Sequence, residues 1–414
     1  MTATLDPVAL TKALNQCIPS LESTAPGPEH AVDGVAPSLV VSPSTQAEVA
    51  AVLAVADELG AAVLPRGGGT QTGIGARPER YDIALDLRRI DAVVEHEPAD
   101  LTITVEAGRR LSDVQRLLGE SGQWLPLDPA LLDEATIGGI LATNASGPAR
   151  VRYGSPRDLV IGMTVALANG ELVKSGGRVV KNVAGYDMAK LHIGAFGTLG
   201  VITQASFKVA PLPVANAFIR ISGSLGTLAG LSLKVIDAGL PVLGLTLSNR
   251  DAGSGWALTA RFAGGSAAVE RSRRETHALA SEAGLALEDI DGAAWAAASA
   301  ASGTLRVRVT VRPTHLASIC DAIEAAGGRI VAMPGIGVAQ AAWDASPGVA
   351  ALQDLRRGCE SSGGALVIEQ ASSELKSELE VWGDTRGGFG LMRQLKEQFD
   401  PHRVLNPGRF VGGL

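Results

Sequence analysis

The spacing of apolar residues along the chain changes period several times, and each period predicts a different element. The clearest case is the run from Ala47 to Leu59, where apolar residues recur at helical spacing. The run follows a capping box formed by Thr45 and Glu48, and it stops at Gly60, a residue type common at helix ends. These signals predict a helix over residues 47–59.

Shorter segments up to residue 212 alternate between strand-like and helical patterns. A hairpin is indicated where Asn169-Gly170, a pair suited to a type I′ turn, separates two alternating segments. Residues 1–35 are weakly patterned and predict no element. The predicted strands are 62–64, 82–87, 92–96, 101–106, 159–168, 171–174 and 200–209, and further helices are predicted from Ser112 to about Gly122, from near Thr136, and over 187–193.

After Pro211 and Pro213 the order of elements changes to two successive βαββ-like units. Such units predict an antiparallel sheet with helices on one face, as in a ferredoxin-like domain. The predicted elements are strands 217–221, 241–248, 255–262, 304–312, 329–334, 337–343 and 364–370, with helices 225–238, 267–283, 315–326 and 347–361. We therefore expect an α+β chain with domains at 1–212 and 213–385, and a segment at 386–414, including a helix over 387–399, that returns to the first domain.

Composition supports a well-packed protein that binds a ligand closely. Hydrophobic residues make up 46% and charged residues 19% of the 414, which excludes an intrinsically disordered chain. Glycine contributes 50 residues, well above its usual share of about 7%. The formal net charge of −7, with no basic run, excludes a general nucleic-acid binder.

The three cysteines, Cys17, Cys320 and Cys359, are isolated and form no C-x-x-C pair. Neither a disulfide framework nor an iron–sulfur cluster is therefore predicted. The first residues lack the pattern of a signal peptide, and no uncharged apolar run reaches about 18 residues. These features favour a cytoplasmic protein.

The segment most informative about chemistry is the loop from Arg66 to Gly75, which reads RGGGTQTGIG. Successive glycines after a strand allow several backbone amides to converge on one anion. A diphosphate is the expected guest, because side chains would prevent so close an approach, and a bulky residue at Gly68 is expected to empty the site. The alternative is a glycine-rich surface loop without a ligand.

Two better-known phosphate-binding motifs do not fit this loop. The dinucleotide fingerprint G-x-G-x-x-G requires glycine where Thr72 stands, and no helix is predicted to follow. A Walker A loop requires Gly-Lys-Ser/Thr, which is absent from the sequence.

Two further glycine-bearing segments support binding of the same ligand. In the segment 136–147, Thr136 can cap a helix whose first turn is bare backbone, and Thr143, Asn144 and Ser146 add polar groups nearby. The alternative there is a tightly packed helix end. In the third segment, 177–203, a strand edge after Gly200 can offer backbone groups to a flat heterocycle.

In this order, the three segments resemble the FAD-binding domain of the vanillyl-alcohol-oxidase/PCMH flavoenzymes, and within that family the FAD-binding subunits of glycolate oxidases (glycolate dehydrogenases). The resemblance covers residues 66–75, 136–147 and 154–203, together with the terminal motif Phe399-Asp400-Pro401 … Leu405-Asn406-Pro407-Gly408. It implies a PCMH-type FAD-binding domain of two subdomains with a cap built from the βαββ units.

The resemblance also implies which residues hold FAD. Thr70 follows Gly69 at the place where some relatives attach the flavin covalently through a histidine, so non-covalent FAD is expected. The implied ligands are Arg66, Gly67, Gly68, Gly69, Thr70 and Gly73 for the diphosphate, Pro129, Thr136, Gly138, Gly139, Asn144, Ser146 and Gly147 for the ribityl and isoalloxazine portion, Gly200 and Ile202 for the adenine end, and Asn406 for closing the site from the C-terminus.

The sequence departs from the family at the catalytic residues. Catalytic subunits of the related 2-hydroxy-acid dehydrogenases carry a His-x-Gly-Asp-Gly-Asn-x-x-His stretch that supplies metal ligands and a base. No such stretch exists here, and Ala195 and Phe196 replace a serine and a glutamate of the family. The six histidines, which are His30, His96, His192, His277, His315 and His402, show no pair at ligand spacing. We therefore assign no metal site and no catalytic residue.

Several cations remain without an assigned role. Arg306 and Arg308 share one face of a predicted strand, directed either toward the flavin or toward water. A cluster around the flavin segments could bind a carboxylate substrate, the flavin phosphates or an acidic partner, or could be solvated charge. It comprises Arg150, Arg152, Arg157, Arg178 and Lys181.

The resemblance implies a flavoprotein subunit of a multi-subunit 2-hydroxy-acid dehydrogenase that oxidises glycolate and D-lactate. Electrons would leave through an iron–sulfur subunit, a second flavin subunit would carry the catalytic histidines, and membranes would be reached only through partners. One alternative is a free-standing oxidase using Tyr186, Lys181 or His192 as its acid–base group. Another is a scaffold that retains the flavin fold without catalysis.

Overall fold

The computed structural model describes residues 5–177, 186–249, 255–299, 301–385 and 387–414. It divides into two compact units, the first comprising Met1–Ser146, Ser155–Leu212 and Asp384–Leu414, and the second comprising Gly147–Gly154 and Pro213–Gly383. The bounds expected from the sequence differ from these units at residues 147–154, which were expected in the first domain, and at residues 384–385, which were expected in the second. Residues 147–154 pack within the second unit, where Arg152 Nη1 donates to the carbonyl of Ala263 over 2.6 Å.

Helices and strands alternate along the chain. The helices are α1 (Pro7–Cys17), α2 (Gln46–Leu59), α3 (Leu111–Glu120), α4 (Ile137–Thr143), α5 (Arg150–Tyr153), α6 (Pro156–Leu159), α7 (Ala189–His192), α8 (Leu225–Asp237), α9 (Ser266–Glu282), α10 (Gly292–Ala298), α11 (Leu316–Ala325), α12 (Val349–Ser361), α13 (Ser373–Glu378) and α14 (Phe389–Phe399). The strands are β1 (Glu22–Thr24), β2 (Leu39–Ser42), β3 (Val63–Arg66), β4 (Ile83–Asp86), β5 (Val93–Glu97), β6 (Thr102–Glu106), β7 (Gln123–Trp124), β8 (Val160–Ala166), β9 (Leu172–Gly176), β10 (Val201–Lys208), β11 (Ala210–Pro211), β12 (Ala215–Gly223), β13 (Val242–Ser248), β14 (Trp256–Gly264), β15 (Leu287–Asp289), β16 (Leu305–Thr310), β17 (Arg329–Met333), β18 (Val338–Trp343) and β19 (Ala365–Gln370).

Helix α2 forms as its capping signals predict. The Thr45 hydroxyl accepts from the Glu48 amide over 3.1 Å, and the Glu48 carboxylate accepts from the Ser44 amide over 2.6 Å. Gly60 ends the helix with φ of 65°, a left-handed conformation in which glycine is not strained. The inner face buries Val49 and its apolar neighbours in the core of the first unit.

The first unit contains a mainly parallel sheet and an antiparallel sheet. Strands β2, β4 and β3 pair in parallel, and β1 adds to β2 in the antiparallel sense. The second sheet has the order β5-β6-β10-β8-β9, and its β8–β9 pair is the hairpin predicted around Asn169-Gly170. One buried cluster joins both sheets and includes Val404 and Leu405, so the C-terminal segment returns to this unit.

Three elements near the N-terminus, α1, β1 and β2, are absent from the sequence-based prediction. Helix α1 begins after Asp6, whose carboxylate accepts from the Val8 amide, and it has Pro7 at its first position. Strand β1 is only three residues long and is held by its pairing with β2. The pair Asp6-Pro7 is a recognisable helix start, whereas β1 depends on a distant partner and leaves no local signal.

The second unit is built on an eight-stranded antiparallel sheet of order β15-β12-β14-β13-β17-β18-β16-β19. Each half is a β-α-β-β-α-β unit, and the halves join through β13 and β17, where Leu247 pairs with Ala332. The predicted βαββ units are thus observed, and the first is completed by β15, which the sequence did not indicate. Trp256, Trp295 and Trp343 are buried in this unit.

Candidate functional site

A cleft in the first unit opens where β3 ends and the glycine-rich loop begins. Its walls come from the loop, the start of α4, the turn at Phe196 and the C-terminal tail, defined here as residues 400–414. The pairing of Val63 with Leu405 brings the tail beside β3. The residues that line the cleft are Val32, Leu64, Pro65, Arg66, Gly67, Gly68, Gly69, Thr70, Gln71, Thr72, Ile74, Tyr81, Thr136, Gly139, Ala142, Thr143, Phe196, Asn406 and Arg409.

The loop presents unsatisfied backbone amides. Those of Gly68, Gly69 and Thr70 form no hydrogen bond with any part of the chain that the structure describes. Gly69 has φ of 79°, and the Thr72 amide closes the turn by donating to the Gly69 carbonyl over 3.3 Å. Successive free amides around such a turn are the features of an anion-binding nest.

Gly67 and Gly68 are required for a different reason. A side chain at Gly67 would collide with the Thr136 hydroxyl, and one at Gly68 would collide with the Glu134 carbonyl. Both glycines therefore let the loop pack against the segment that leads into α4. A bulky residue at Gly68 tests this packing more directly than it tests the approach of a phosphate.

Helix α4 supplies the opposite wall. The Thr136 hydroxyl caps it by accepting from the Gly139 amide over 3.4 Å, as predicted. Gly139 lines the cleft, and the only described group near a side chain placed there is the Thr136 hydroxyl at 3.3 Å. Gly138 instead packs against Ala107 in the interior.

The charge of the lining is positive. Arg66 and Arg409 line the cleft, and the described lining residues include no carboxylate and no histidine. Arg66 Nη1 donates to the Glu29 carbonyl over 2.7 Å, while its buried Nε has no acceptor among the described residues. Burial raises the pKa of Tyr81 to about 12, so its phenol stays neutral at physiological pH.

The C-terminal tail completes the cleft. Asn406 Nδ2 donates to the Phe196 carbonyl over 2.6 Å, and the Asn406 amide donates to the Val63 carbonyl over 3.0 Å. The buried Lys396 anchors the tail by donating to Asp400 over 2.5 Å and to the Leu405 carbonyl over 2.8 Å. Asn406 therefore lines the cleft and connects the tail to the Phe196 turn and to β3.

The structure brings about half of the sequence-predicted ligands to the cleft. Gly200 immediately precedes β10, Ile202 is a buried residue of that strand, and Gly147 lies in the second unit. Asn144 ends α4, and its buried Oδ1 has no partner among the described residues. The predicted residues in the lining are Arg66, Gly67, Gly68, Gly69, Thr70, Thr136, Gly139 and Asn406, and those outside it are Gly73, Pro129, Gly138, Asn144, Ser146, Gly147, Gly200 and Ile202.

Sequence reasoning missed Arg409, Tyr81 and Phe196. Arg409 directly follows the motif Asn406-Pro407-Gly408, so the motif itself was the available signal. Tyr81 and Phe196 have no local signal, because each reaches the cleft through the tertiary fold. Phe196 has φ of 54° in the turn whose carbonyl binds Asn406.

The lone polar candidates lie elsewhere. His192 is buried outside the cleft lining beside Phe399, and burial lowers its pKa to about 4. Arg308 forms an ion pair with Glu369 at 2.9 Å on β16, and Arg306 points to the same face. Arg178 and Lys181 of the cationic cluster lie outside the described residues.

Two negative findings apply to the described part of the chain. It contains no group of three or more histidine, cysteine, aspartate or glutamate residues placed to hold a metal ion. None of its helices combines the length and the apolar character needed to cross a membrane.

Comparison with known protein families identifies the domain that contains this cleft. Residues 37–176 match the family model of the FAD binding domain, and residues 382–410 match that of the C-terminal domain of FAD linked oxidases. The chain therefore carries an FAD-binding domain of the kind found in FAD-linked oxidoreductases, and FAD is its cofactor. The predicted cofactor is confirmed.

Relatives of known name are similar over part of their length. The chain is 36% identical over 190 residues to glycolate oxidase subunit GlcE of Escherichia coli (strain K12), covering 46% of this chain and 53% of that protein. It is 36% identical over 177 residues to glycolate oxidase subunit GlcD of Bacillus subtilis (strain 168), covering 43% and 38%. The alignments thus span about half or less of these relatives.

The whole fold matches a solved flavoenzyme structure. The p-cresol methylhydroxylase structure with substrate bound superposes with a TM-score of 0.73 at 16% identity, covering 97% of this chain and 96% of that one. At this identity the match establishes the fold alone. The predicted PCMH-type fold is confirmed.

The cleft residues fit FAD on chemical grounds. A diphosphate requires donors and positive charge, and the lining supplies amides without an internal acceptor, the Arg66 Nε and a surface free of described carboxylates. The contact of FAD with Gly139 and Asn406 and the places of the other predicted ligands remain predictions.

Proposed function

We propose that this chain is the FAD-binding subunit of a multi-subunit, cytoplasmic 2-hydroxy-acid dehydrogenase. The substrates are glycolate, oxidised to glyoxylate, and D-lactate, oxidised to pyruvate. Its partners are a catalytic flavin subunit and an iron–sulfur subunit, and any membrane contact runs through them. The similarity to GlcE and GlcD supports the substrate class and the multi-subunit arrangement.

The observation that carries the proposal is the combination of an anion-binding loop with a cleft whose described lining contains no carboxylate and no histidine. Oxidation of a 2-hydroxy acid removes a hydride from the α-carbon and a proton from the hydroxyl, so a base is required. When bound, FAD supplies the two-electron acceptor. We therefore assign the base to a partner, since the titratable side chains of the described cleft lining are two arginines and a neutral tyrosine.

The residues of this chain bind and orient the cofactor. Loop amides 68–70 and Arg66 hold the diphosphate. The Thr136 side chain caps α4 and lies against Gly67, so it fixes the position of the loop relative to the helix. Asn406 fixes the Phe196 turn on the far side. Thr70 offers no nucleophile comparable to histidine at the loop, so FAD binds non-covalently.

Anaerobic reduction of the flavin tests this proposal. The purified chain, loaded with FAD, is mixed with glycolate or D-lactate without oxygen, and flavin absorbance is followed. We expect no bleaching by the isolated chain, and full reduction by dithionite as a control that the flavin is accessible. The same substrates should turn over in the complex isolated with its partners.

Two outcomes would replace the proposal. Complete bleaching by the isolated chain would identify a free-standing oxidase that contains its own base. Retained activity of the complex with an FAD-free form of this chain would identify a scaffold subunit.

A further inference from the structure

A second cavity in the first unit lies beside α14 and shares no described lining residue with the cleft. This α14 cavity has a volume of about 490 Å³. The cleft and the cavity adjoin at two aromatic rings, since Phe196 lines the cleft, Phe410 lines the cavity, and their centroids are 5.7 Å apart. The apolar residues that line the α14 cavity are Leu191, Ile193, Leu199, Met392, Leu395 and Phe410.

Helix α14 contributes apolar surface that the rest of the described chain covers only in part. Of its 11 residues, Lys396 alone is buried, whereas Met392 and Leu395 are half-buried and Leu391 is exposed. Residues 391 and 395 are about one helical turn apart and therefore share a face of α14. Removing this surface from water favours the binding of an apolar group in the cavity.

The polar side chains inside the α14 cavity already have partners. Lys396 Nζ donates to the Asp400 carboxylate and to the Leu405 carbonyl, and the Thr198 carbonyl accepts its third hydrogen over 2.9 Å. The Thr198 hydroxyl donates to the Ala195 carbonyl over 2.6 Å. These side chains have no N–H or O–H donor left for a ligand, so the interior suits an apolar body.

The rim of the α14 cavity differs from its interior because it carries exposed charges. Arg157 lines the rim, and its side chain forms no hydrogen bond or ion pair with any residue that the structure describes. Lys190 lies on the same rim and is paired with Asp187 at 3.1 Å. Arg157 is therefore the rim cation that can receive an anionic group, and a guanidinium binds a carboxylate through two parallel hydrogen bonds.

We propose that the α14 cavity binds a small amphiphilic carboxylate, with its apolar body against Met392, Leu395 and Phe410 and its carboxylate on Arg157. A medium-chain fatty acid has this chemistry. Glycolate and D-lactate have no comparable apolar body, so the cavity is a second ligand site and not the site of the proposed oxidation. The inference is independent of the proposed function, because it requires neither turnover nor a partner subunit.

Calorimetric titration of the full chain with octanoate tests the site. Octanol has the same apolar body without the charge, so it separates the two contributions. We expect one octanoate per chain, bound at least about tenfold more tightly than octanol, since its carboxylate forms charge-assisted hydrogen bonds. The affinity should agree within about twofold with and without FAD. Displacement of octanoate by FAD would show that the cavity belongs to the cofactor site and would overturn the proposal.

Variants of the rim separate the role of Arg157 from general electrostatics. Arg157→Gln should remove the preference for octanoate and leave octanol binding within about twofold of wild type. Asp187→Asn should strengthen octanoate binding, because it removes a negative charge beside the carboxylate. Arg116→Gln alters an exposed arginine of α3 outside the lining and should behave as wild type. Equal octanoate affinity in Arg157→Gln and wild type, or no saturable binding by the folded wild-type chain, would overturn the proposal.

Methionine-methyl NMR of the wild-type chain locates the bound octanoate. The chain contains five methionines, of which Met392 lines the α14 cavity and Met333 lies in β17 of the second unit. Octanoate should shift the Met392 methyl resonance, assigned with Met392→Leu, and leave the Met333 resonance unchanged. A Met392 resonance that does not move at saturating octanoate would place the ligand elsewhere and overturn the proposal.

Discussion

A substitution at Gly139 allows the effect on ligand binding to be measured separately from the effect on folding. It lies in the first turn of α4 and faces the cleft, and a methyl group there meets only the Thr136 hydroxyl at 3.3 Å. By contrast, Gly67 and Gly68 pack against backbone or the Thr136 side chain and cannot be changed without moving the loop. Of these three glycines, Gly139 is therefore the one at which a substitution tests ligand binding.

Replacing Gly139 by alanine should weaken FAD without unfolding the protein. Alanine raises helix propensity by about 1 kcal/mol, which offsets the close Thr136 contact, whereas the added methyl group narrows the cleft. We expect an unchanged or higher melting temperature of the apo-protein and an FAD dissociation constant raised roughly tenfold. Both are measured by calorimetry and flavin fluorescence.

Gly119 provides the matched control. It lies in α3 outside the cleft lining, and a methyl group added there would have no described atom within 4 Å. Gly119→Ala should stabilise the fold by up to about 1 kcal/mol and leave FAD affinity unchanged. Equal FAD affinity in Gly139→Ala and wild type would mean that Gly139 does not face the cofactor.

His192 predicts a specific pH dependence of stability. Its pKa is about 4 in the folded chain because of burial, compared with about 6.5 when unfolded. Below pH 6.5 the unfolded chain binds the extra proton, so the free energy of unfolding should fall as the pH drops toward 4, by about 3 kcal/mol in total. Above pH 6.5 this contribution is fully present.

Urea unfolding between pH 4 and 8 measures this effect. His192→Asn should flatten that part of the profile, while replacing the exposed His277 of α9 by asparagine should not. The same slope in His192→Asn and wild type would contradict a neutral, buried His192.

The sequence indicated cleft residues whose types match a local motif. It did not indicate residues that reach the cleft only through the tertiary fold. Gly69 and Thr136 were identified because their types match a turn and a cap. Tyr81 and Phe196 reach the cleft only through long-range packing, which no local pattern records. The packing of Gly68 against the Glu134 carbonyl likewise has no local signal.

At the scale of elements, the N-cap of α4 links helix stability to the cleft. The Thr136 hydroxyl caps α4 and also supports Gly67, whereas Thr45 caps α2 away from the cleft lining. Each threonine-to-alanine change should cost about 1 kcal/mol of stability. Only Thr136→Ala should also weaken FAD, as measured by fluorescence titration beside thermal unfolding.

The serine variant serves as the control for this prediction. Thr136→Ser keeps the capping oxygen and should retain most of the stability and the FAD affinity. Loss of FAD affinity in Thr45→Ala as large as in Thr136→Ala would show that helix stability alone controls cofactor binding.

The junction between α14 and the tail depends on a buried ion pair. Lys396 donates to the Asp400 carboxylate, the Thr198 carbonyl and the Leu405 carbonyl, and Asp400 accepts from the Val404 amide. Lys396→Met leaves Asp400 buried without its cation, so a loss of about 3–5 kcal/mol in the free energy of unfolding is expected. Chemical denaturation measures the change.

An exposed lysine–aspartate pair serves as the control for the Lys396 prediction. Lys190 and Asp187 lie 3.1 Å apart at the surface, and Lys190→Met should cost less than about 1 kcal/mol. Similar losses for Lys190→Met and Lys396→Met would contradict the role assigned to burial.

Most elements followed from periodicity and capping, and the exceptions have physical causes. Helix α2 was predicted because Thr45, Glu48 and Gly60 mark its ends. Strand β15 has three residues and exists because it pairs with β12, so its own sequence carries too little information.

At the scale of the whole molecule, the chain folds into two units, each built from more than one stretch of the sequence. The tail belongs to the first unit, whereas residues 147–154 belong to the second. Arg152 holds that segment through the Ala263 carbonyl, which is 111 residues away along the chain. No property of 147–154 alone could reveal this contact, since the signal lies in the distant strand.

In the proposed binding mode, the loop, α4 and the tail together bind one FAD per chain without a covalent bond. The most direct measurement is the absorption spectrum of the purified chain, followed by acid precipitation and quantification of flavin in the supernatant. We expect one FAD per chain, fully released by acid. A folded chain that takes up no flavin from excess FAD, or that retains it in the pellet, would contradict it.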